Sequence, residues 1–135
     1  MFFFTWAPYL AFKRNQMSKT QPGLTEDDRV ITAKVECRIS RSDIMYEGDM
    51  ARYLRVGLSG LKAIEAAIQR CPRRAIKTIL DFPCGAGRVG RYLAARYPEA
   101  RITACDLDRE GVDFCSEVLG MAISSSRTVR SGVSF

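Results

Sequence analysis

Five residues have types and spacings from which chemistry could be built: Asp81, Gly85, Gly87, Gly90 and Asp106. The glycines lie in the run ILDFPCGAGRVGRYL, Ile79 to Leu93, and satisfy the pattern GxGxxG. Glycine tolerates positive φ and carries no Cβ, so a ligand can come close to the backbone of such a turn. A helix opening behind the turn presents free N–H groups and a partial positive charge. Asp106 follows at a distance suited to a ribose hydroxyl, about 20 residues on. On these features alone, NAD and any other nucleoside-bearing cofactor are equally good ligands.

Asp81 separates them. It ends the first predicted strand just ahead of the glycines, so its carboxylate is expected to face the ligand crevice. A dinucleotide brings two phosphate charges there, and like charges in a low-dielectric crevice repel strongly. S-adenosyl-L-methionine has no phosphate. Its ammonium and its sulfonium are cations that a nearby carboxylate favours. The pattern therefore points to S-adenosyl-L-methionine and leaves an NAD-binding oxidoreductase as the weaker alternative.

The elements that must position these residues follow from periodicity. Leu54, Leu58, Leu61, Ile64 or Ala67, and Ile68 recur at helical spacing between Met50 and Cys71, and Pro72 ends that helix. Ala75–Phe82 is a β-rich run leading into the glycine turn. Val89, Leu93, Ala94 and Tyr97 make one helical face over Arg88–Tyr97, closed by Pro98. Arg101–Cys105 is a second short apolar strand, and Asp108 can cap a helix from Arg109 or Glu110 to about Leu119. MAIS, from Met121, begins a third strand. Strand, turn, helix, strand, helix is a βαβα unit, which implies parallel strands and a right-handed crossover. The expected fold is α/β: an incomplete Rossmann-like, doubly wound parallel sheet with an N-terminal helical segment.

The rest of the chain narrows the function classes. At 135 residues it holds one domain at most. Its net charge of +6 is scattered; the one tight group, Arg70, Arg73 and Arg74, falls at a helix end, where cations complement the dipole. No strong nucleic-acid signal results. The absence of histidine removes His triads and His metal sites. The five cysteines form no CxxC pair, so neither a zinc site nor a disulfide framework is indicated, and reduced thiols point to the cytoplasm. The apolar start, MFFFTWAPYLAF, is shorter than the roughly 20 residues of a transmembrane helix and is broken by Pro8. Lys13 and Arg14 follow that run instead of preceding it, which is wrong for a secretory signal. Residues 13–42 read as polar linker, with Pro22-Gly23 a turn and VITAKVECRI a short extended piece. The organisation expected is a poorly ordered leader and linker over 1–42, a partial cofactor-binding domain over 43–123 and a serine-rich tail over 124–135.

Asp81-Phe-Pro-Cys84-Gly85-Ala-Gly87-Arg88 resembles the first motif of class I S-adenosylmethionine-dependent methyltransferases. Ala104-Cys-Asp106-Leu-Asp108 is similar to their second motif. The resemblance spans Ile76 to Leu119 and implies roles residue by residue. Asp81 would face the methionine end of the cofactor. Pro83, Cys84, Gly85, Ala86 and Gly87 would form the loop that closes on it, Asp106 would take the ribose diol, and Leu107 would lie against adenine. Tyr46 through Tyr53 and Gly57 would fold over the cofactor. Pro83 stands where the family usually has Gly, which removes one donor and fixes φ in the loop. The family's sheet normally has seven strands, and its fourth helps to form the acceptor site.

Two functions follow. One is methyl transfer by in-line displacement to an unidentified acceptor, with the protein chiefly positioning the reactants. The other is a non-catalytic, truncated remnant or interaction fragment that keeps the cofactor half-site and self-associates through an exposed sheet edge. Neither identifies a catalytic residue or a metal ligand. Cys84 and Cys105 read as packing thiols, and Tyr46 and Tyr53 as ordinary core or surface aromatics before cofactor lids.

Overall fold

The structure, a computed structural model, describes residues 23–71 and 75–124. The apolar N-terminus, Pro22, Pro72 to Arg74 and residues 125–135 of the serine-rich tail lie outside the described residues.

The first element corrects the reading of the leader. VITAK is not extended: Glu26–Lys34 is a helix, α1. Its start is a capping box, in which Thr25 Oγ1 accepts from the Asp28 N–H at 3.2 Å and Asp28 Oδ2 accepts from the Thr25 N–H at 2.8 Å. Glu26, Asp27 and Asp28 in the first turn complement the helix dipole. The β-branched run Val30-Ile-Thr suggested a strand, but the cap and the acidic turn outweigh that preference. Ile31 and Val35 are buried in the core, so residues 23–42 do not behave as a solvated linker.

Met50–Ile68 forms α2, capped by Asp49, whose Oδ1 accepts from the Arg52 N–H at 3.0 Å. Leu54, Leu58 and Leu61 of its predicted stripe are buried, joined by Tyr53, while Ile64 and Ile68 farther along are only half-buried. Each of the buried side chains, taken out of water, contributes about 1.5–3 kcal/mol. Ion pairs join the helices around the core. Asp28 of α1 meets Lys62 of α2 at 2.6 Å, and Arg96 reaches Glu65 of α2 at 2.8 Å and also contacts Asp27.

The strands are β1 (Thr78–Asp81), β2 (Arg101–Ala104) and β3 (Ala122–Ile123), parallel and in the order β1-β2-β3. The third strand expected from MAIS is therefore present as a two-residue pairing. Between them run α3 (Gly90–Arg96) and α4 (Arg109–Leu119), the latter stopped by Gly120 in the left-handed conformation. This alternation gives the partial Rossmann-like α/β fold expected. Asp108 stands at the N-cap of α4, but its side chain makes no capping bond. Leu93, Ile102, Ala104, Val112 and Cys115 complete the core between sheet and helices.

Gly57 lets α2 lie directly on the glycine turn. A Cβ there would come within 2.4 Å of the Arg88 carbonyl oxygen and 2.9 Å of the Tyr92 ring. No larger residue fits without separating the two.

Candidate functional site

The register places the two strand ends level: Asp81 pairs with Ala104. Past that point the ladder continues for one more step. The Cys105 N–H donates to the Asp81 carbonyl at 3.1 Å, and the Cys84 N–H donates to the Cys105 carbonyl at 3.1 Å. The chain then turns away through Gly85 (φ +50°) and Gly87 (φ +73°). A Cβ on Gly87 would sit 2.4 Å from Leu119 Cδ1 and 3.0 Å from Cys115 Sγ. Its smallness thus seats the turn on α4, while its positive φ makes the turn itself.

In front of the turn lies a cleft of about 540 Å³, within the usual range for small-molecule sites. Asp81, Pro83, Cys84, Gly85, Ala86 and Asp106 line it on the strand side; Asp43, Met45, Ile64 and Arg88 face them. Two residues singled out in the sequence stand elsewhere. Gly87 is absent from the lining and packs backwards, and Leu107 projects beyond the cleft, 96% exposed. Tyr53 is buried, with its ring edge-on to Tyr46 at 5.7 Å. It is a core aromatic in this structure.

The two carboxylates of the cleft are held differently. Asp106 accepts from the Gly85 N–H at 2.7 Å through Oδ2 and from the Asp108 N–H at 3.0 Å through Oδ1. Those backbone donors, Asp108 first, hold its carboxyl below the usual range. Asp81 has no such support. Its Oδ2 is buried with no hydrogen-bond partner among the described residues. Burial first, and the Asp106 charge second, push its pKa up to about 6. A buried carboxylate oxygen without a donor is a costly feature that a hydrogen-bond donor or a cation would relieve.

The thiols are quiet. Burial raises Cys84, with Asp81 adding to it, and burial pushes Cys115 up to about 12. Neither supplies a thiolate nucleophile near neutral pH. No group of His, Cys, Asp and Glu among the described residues is arranged to hold a metal ion. No helix of the described residues is long and apolar enough to cross a membrane.

The residue that sequence reasoning missed is Arg91. It reads as one more charge on a helix, yet it is only 1% exposed. Its Nε donates to the Gly87 carbonyl at 3.1 Å and its Nη2 to the Ala86 carbonyl at 3.3 Å, so it grips the turn from behind. Its Nη1 donates to the carbonyls of Glu36 at 2.7 Å and Arg38 at 2.9 Å. Nη2 also reaches the Tyr53 hydroxyl at 3.4 Å, which in turn donates to Asp43 at 2.5 Å. One guanidinium thus ties the segment after α1 to the glycine turn. The available signal was positional: Arg91 follows the third glycine directly and is flanked by the buried Gly90 and Tyr92.

No curated protein and no solved structure matches the chain significantly. The methyltransferase small domain family matches residues 62–131, just over half of the chain. That span contains β1, the glycine turn, both crossover helices and the Asp106 strand end described above. On that match, and with the parallel βαβα arrangement around the turn, the chain belongs to the methyltransferase small domain family.

Proposed function

We propose that the chain binds S-adenosyl-L-methionine in the cleft between the glycine turn and α2, and that it serves methyl transfer. The observation that carries this reading is Asp81: it lines the cleft together with a second carboxylate, and one of its own oxygens is buried with no partner among the described residues. A phosphate-bearing dinucleotide would meet repulsion there, whereas an ammonium would complete the site. When bound, the cofactor supplies an activated methyl group on a positively charged sulfur. The chain's own residues do the holding. Asp81 faces the ammonium, the backbone of Cys84 to Ala86 forms the wall, and Asp106 offers its remaining lone pairs to the ribose diol. Leu107, which lies outside the cleft lining and is exposed, would have to fold back over the adenine when the cofactor binds.

A second reading, a cofactor-holding unit that works only after pairing with another surface, draws on one observation. β1 is an edge strand among the described residues; Leu80 on it and Phe82 just past its end are 66% and 64% exposed. Light scattering across a concentration series separates a monomer from a self-associating chain.

Isothermal titration tests the main reading. S-adenosylhomocysteine should bind, NAD should not, and Asp81→Asn should weaken the first about tenfold, the scale of one charge-assisted hydrogen bond. A folded chain that binds neither ligand would overturn it.

A further inference from the structure

Arg88 lines two cavities at once: the main cleft and a neighbouring hollow of about 100 Å³ that also includes Met45, Arg52 and Tyr53. Its guanidinium carbon lies 5.8 Å from the centroid of the Tyr53 ring, a cation–π distance that orients the side chain without occupying its N–H donors. Among the described residues, no carboxylate forms an ion pair with it. The nearby acids have other partners: Glu47 the Arg52 guanidinium, Asp49 the Arg52 N–H, and Asp43 the Tyr53 hydroxyl. The cleft therefore carries two uncommitted groups of opposite sign. Asp81 stands on the strand side and Arg88 on the α2 side, and no ion pair joins them.

Two such groups, held apart in one cleft, are complementary to a zwitterion. We propose that Arg88 is a specificity-determining residue that binds the α-carboxylate of the ligand's amino-acid end, while Asp81 takes the ammonium of the same end. The inference rests on the cofactor reading above and adds to it the residue that recognises the anionic group. A planar guanidinium suits a carboxylate because two parallel N–H donors meet two oxygens. The same end presented to Asp81 alone would bring its carboxylate beside two acidic groups, so a cation across the cleft is what makes that orientation favourable.

The test compares two ligands that share the nucleoside and the thioether. S-adenosylhomocysteine carries the amino-acid end, and 5′-methylthioadenosine lacks it. Titration of Arg88→Met, which keeps an apolar stem over Tyr53, should weaken S-adenosylhomocysteine tenfold or more and leave methylthioadenosine unchanged. Arg88→Lys should fall between, because it keeps the charge and loses the fork. Unchanged affinity for S-adenosylhomocysteine in both variants would overturn the assignment and leave Arg88 to the anion of an acceptor. Equal weakening of both ligands would also overturn it, since a lost wall and not a lost charge gives that result. If Arg88→Met does not fold, Arg88→Lys decides on the same two ligands. Binding of neither ligand by the folded wild-type chain is a different failure. It removes the cofactor reading first, and the Arg88 assignment with it.

Discussion

The glycine turn has a back and a front: the back holds a buried guanidinium and the front a half-buried carboxyl. Behind it, Arg91 donates to the carbonyls of Gly87, Ala86, Glu36 and Arg38, so every edge of its guanidinium finds an acceptor within the chain. In front of it, Asp81 leaves an oxygen buried and unpartnered, and its pKa stands at about 6. Burying an ion is tolerated when its hydrogen bonds are complete and costly when they are not. The back of the turn is thus completed by the fold itself, whereas the front keeps a carboxylate oxygen that no donor of the described residues satisfies. An unsatisfied polar atom on one side of an otherwise well-supported loop is the feature on which the proposed ligand reading rests.

The largest effect expected is at the back. Arg91→Met should lower unfolding stability by about 3 kcal/mol, because it strands several buried carbonyls at once. Urea denaturation measures it. Arg91→Lys should recover only part, since a single ammonium cannot span Gly87 and Glu36 together. A loss below about 1 kcal/mol would show that the back is less dependent on this residue than the comparison requires.

Gly87→Ala comes next. The new methyl meets Leu119 and Cys115, and the residue must keep φ +73°. The two penalties together should cost about 2 kcal/mol. Thermal unfolding checks the value, and the variant should lose affinity for S-adenosylhomocysteine only as far as it loses the fold.

Asp106 belongs to both sides, so its variants separate the two roles. Asp106→Ala removes acceptors for the Gly85 and Asp108 N–H groups, which should cost roughly 1–2 kcal/mol. It should also weaken S-adenosylhomocysteine more than Gly87→Ala does at equal folded fraction. The charge sign agrees. A carboxyl held below its usual range stabilises the fold above pH 4 and loses that contribution as acid protonates it. Wild-type stability should therefore drop below pH 4 by more than that of Asp106→Ala.

Much of this was legible from residue types and spacing. Gly85, Gly87, Asp81 and Asp106 announce the turn and the strand ends because each meets a local requirement: positive φ, no Cβ, or a polar group where a strand stops. The stripe Leu54, Leu58, Leu61 announces α2 for the same reason. Arg91 and α1 were not legible because their causes are distant. Nothing near Arg91 in sequence shows that the carbonyls of Glu36 and Arg38, more than fifty positions away, converge on it. In α1 the β-branched residues concealed a cap whose energy comes partly from Lys62 on another helix. The orphaned state of Asp81 was half legible. Its place at a strand end points it toward the crevice, but only packing shows that no N–H reaches it.

The smallest stability effect, and the sharpest test of the front, is Asp81→Asn. The folded-state pKa is raised from 3.8 to about 6, so the folded chain binds this proton more tightly than the unfolded one. Wild-type stability from this group is thus fullest below pH 4 and falls as pH rises through 6. Asparagine has no charge to bury. At pH 7.5 the variant should be more stable than wild type by about 1 kcal/mol or less, once solvent screening of a half-buried group is allowed for. That advantage should shrink as pH falls through 6 and be gone near pH 4. Ligand affinity must move the other way: wild-type binding of S-adenosylhomocysteine should weaken as acid protonates Asp81, with a midpoint near 6 that is absent from the variant. A variant that gained stability and kept its affinity would mean that the orphaned oxygen serves no ligand, and the front of the turn would then differ from the back only in being less well built.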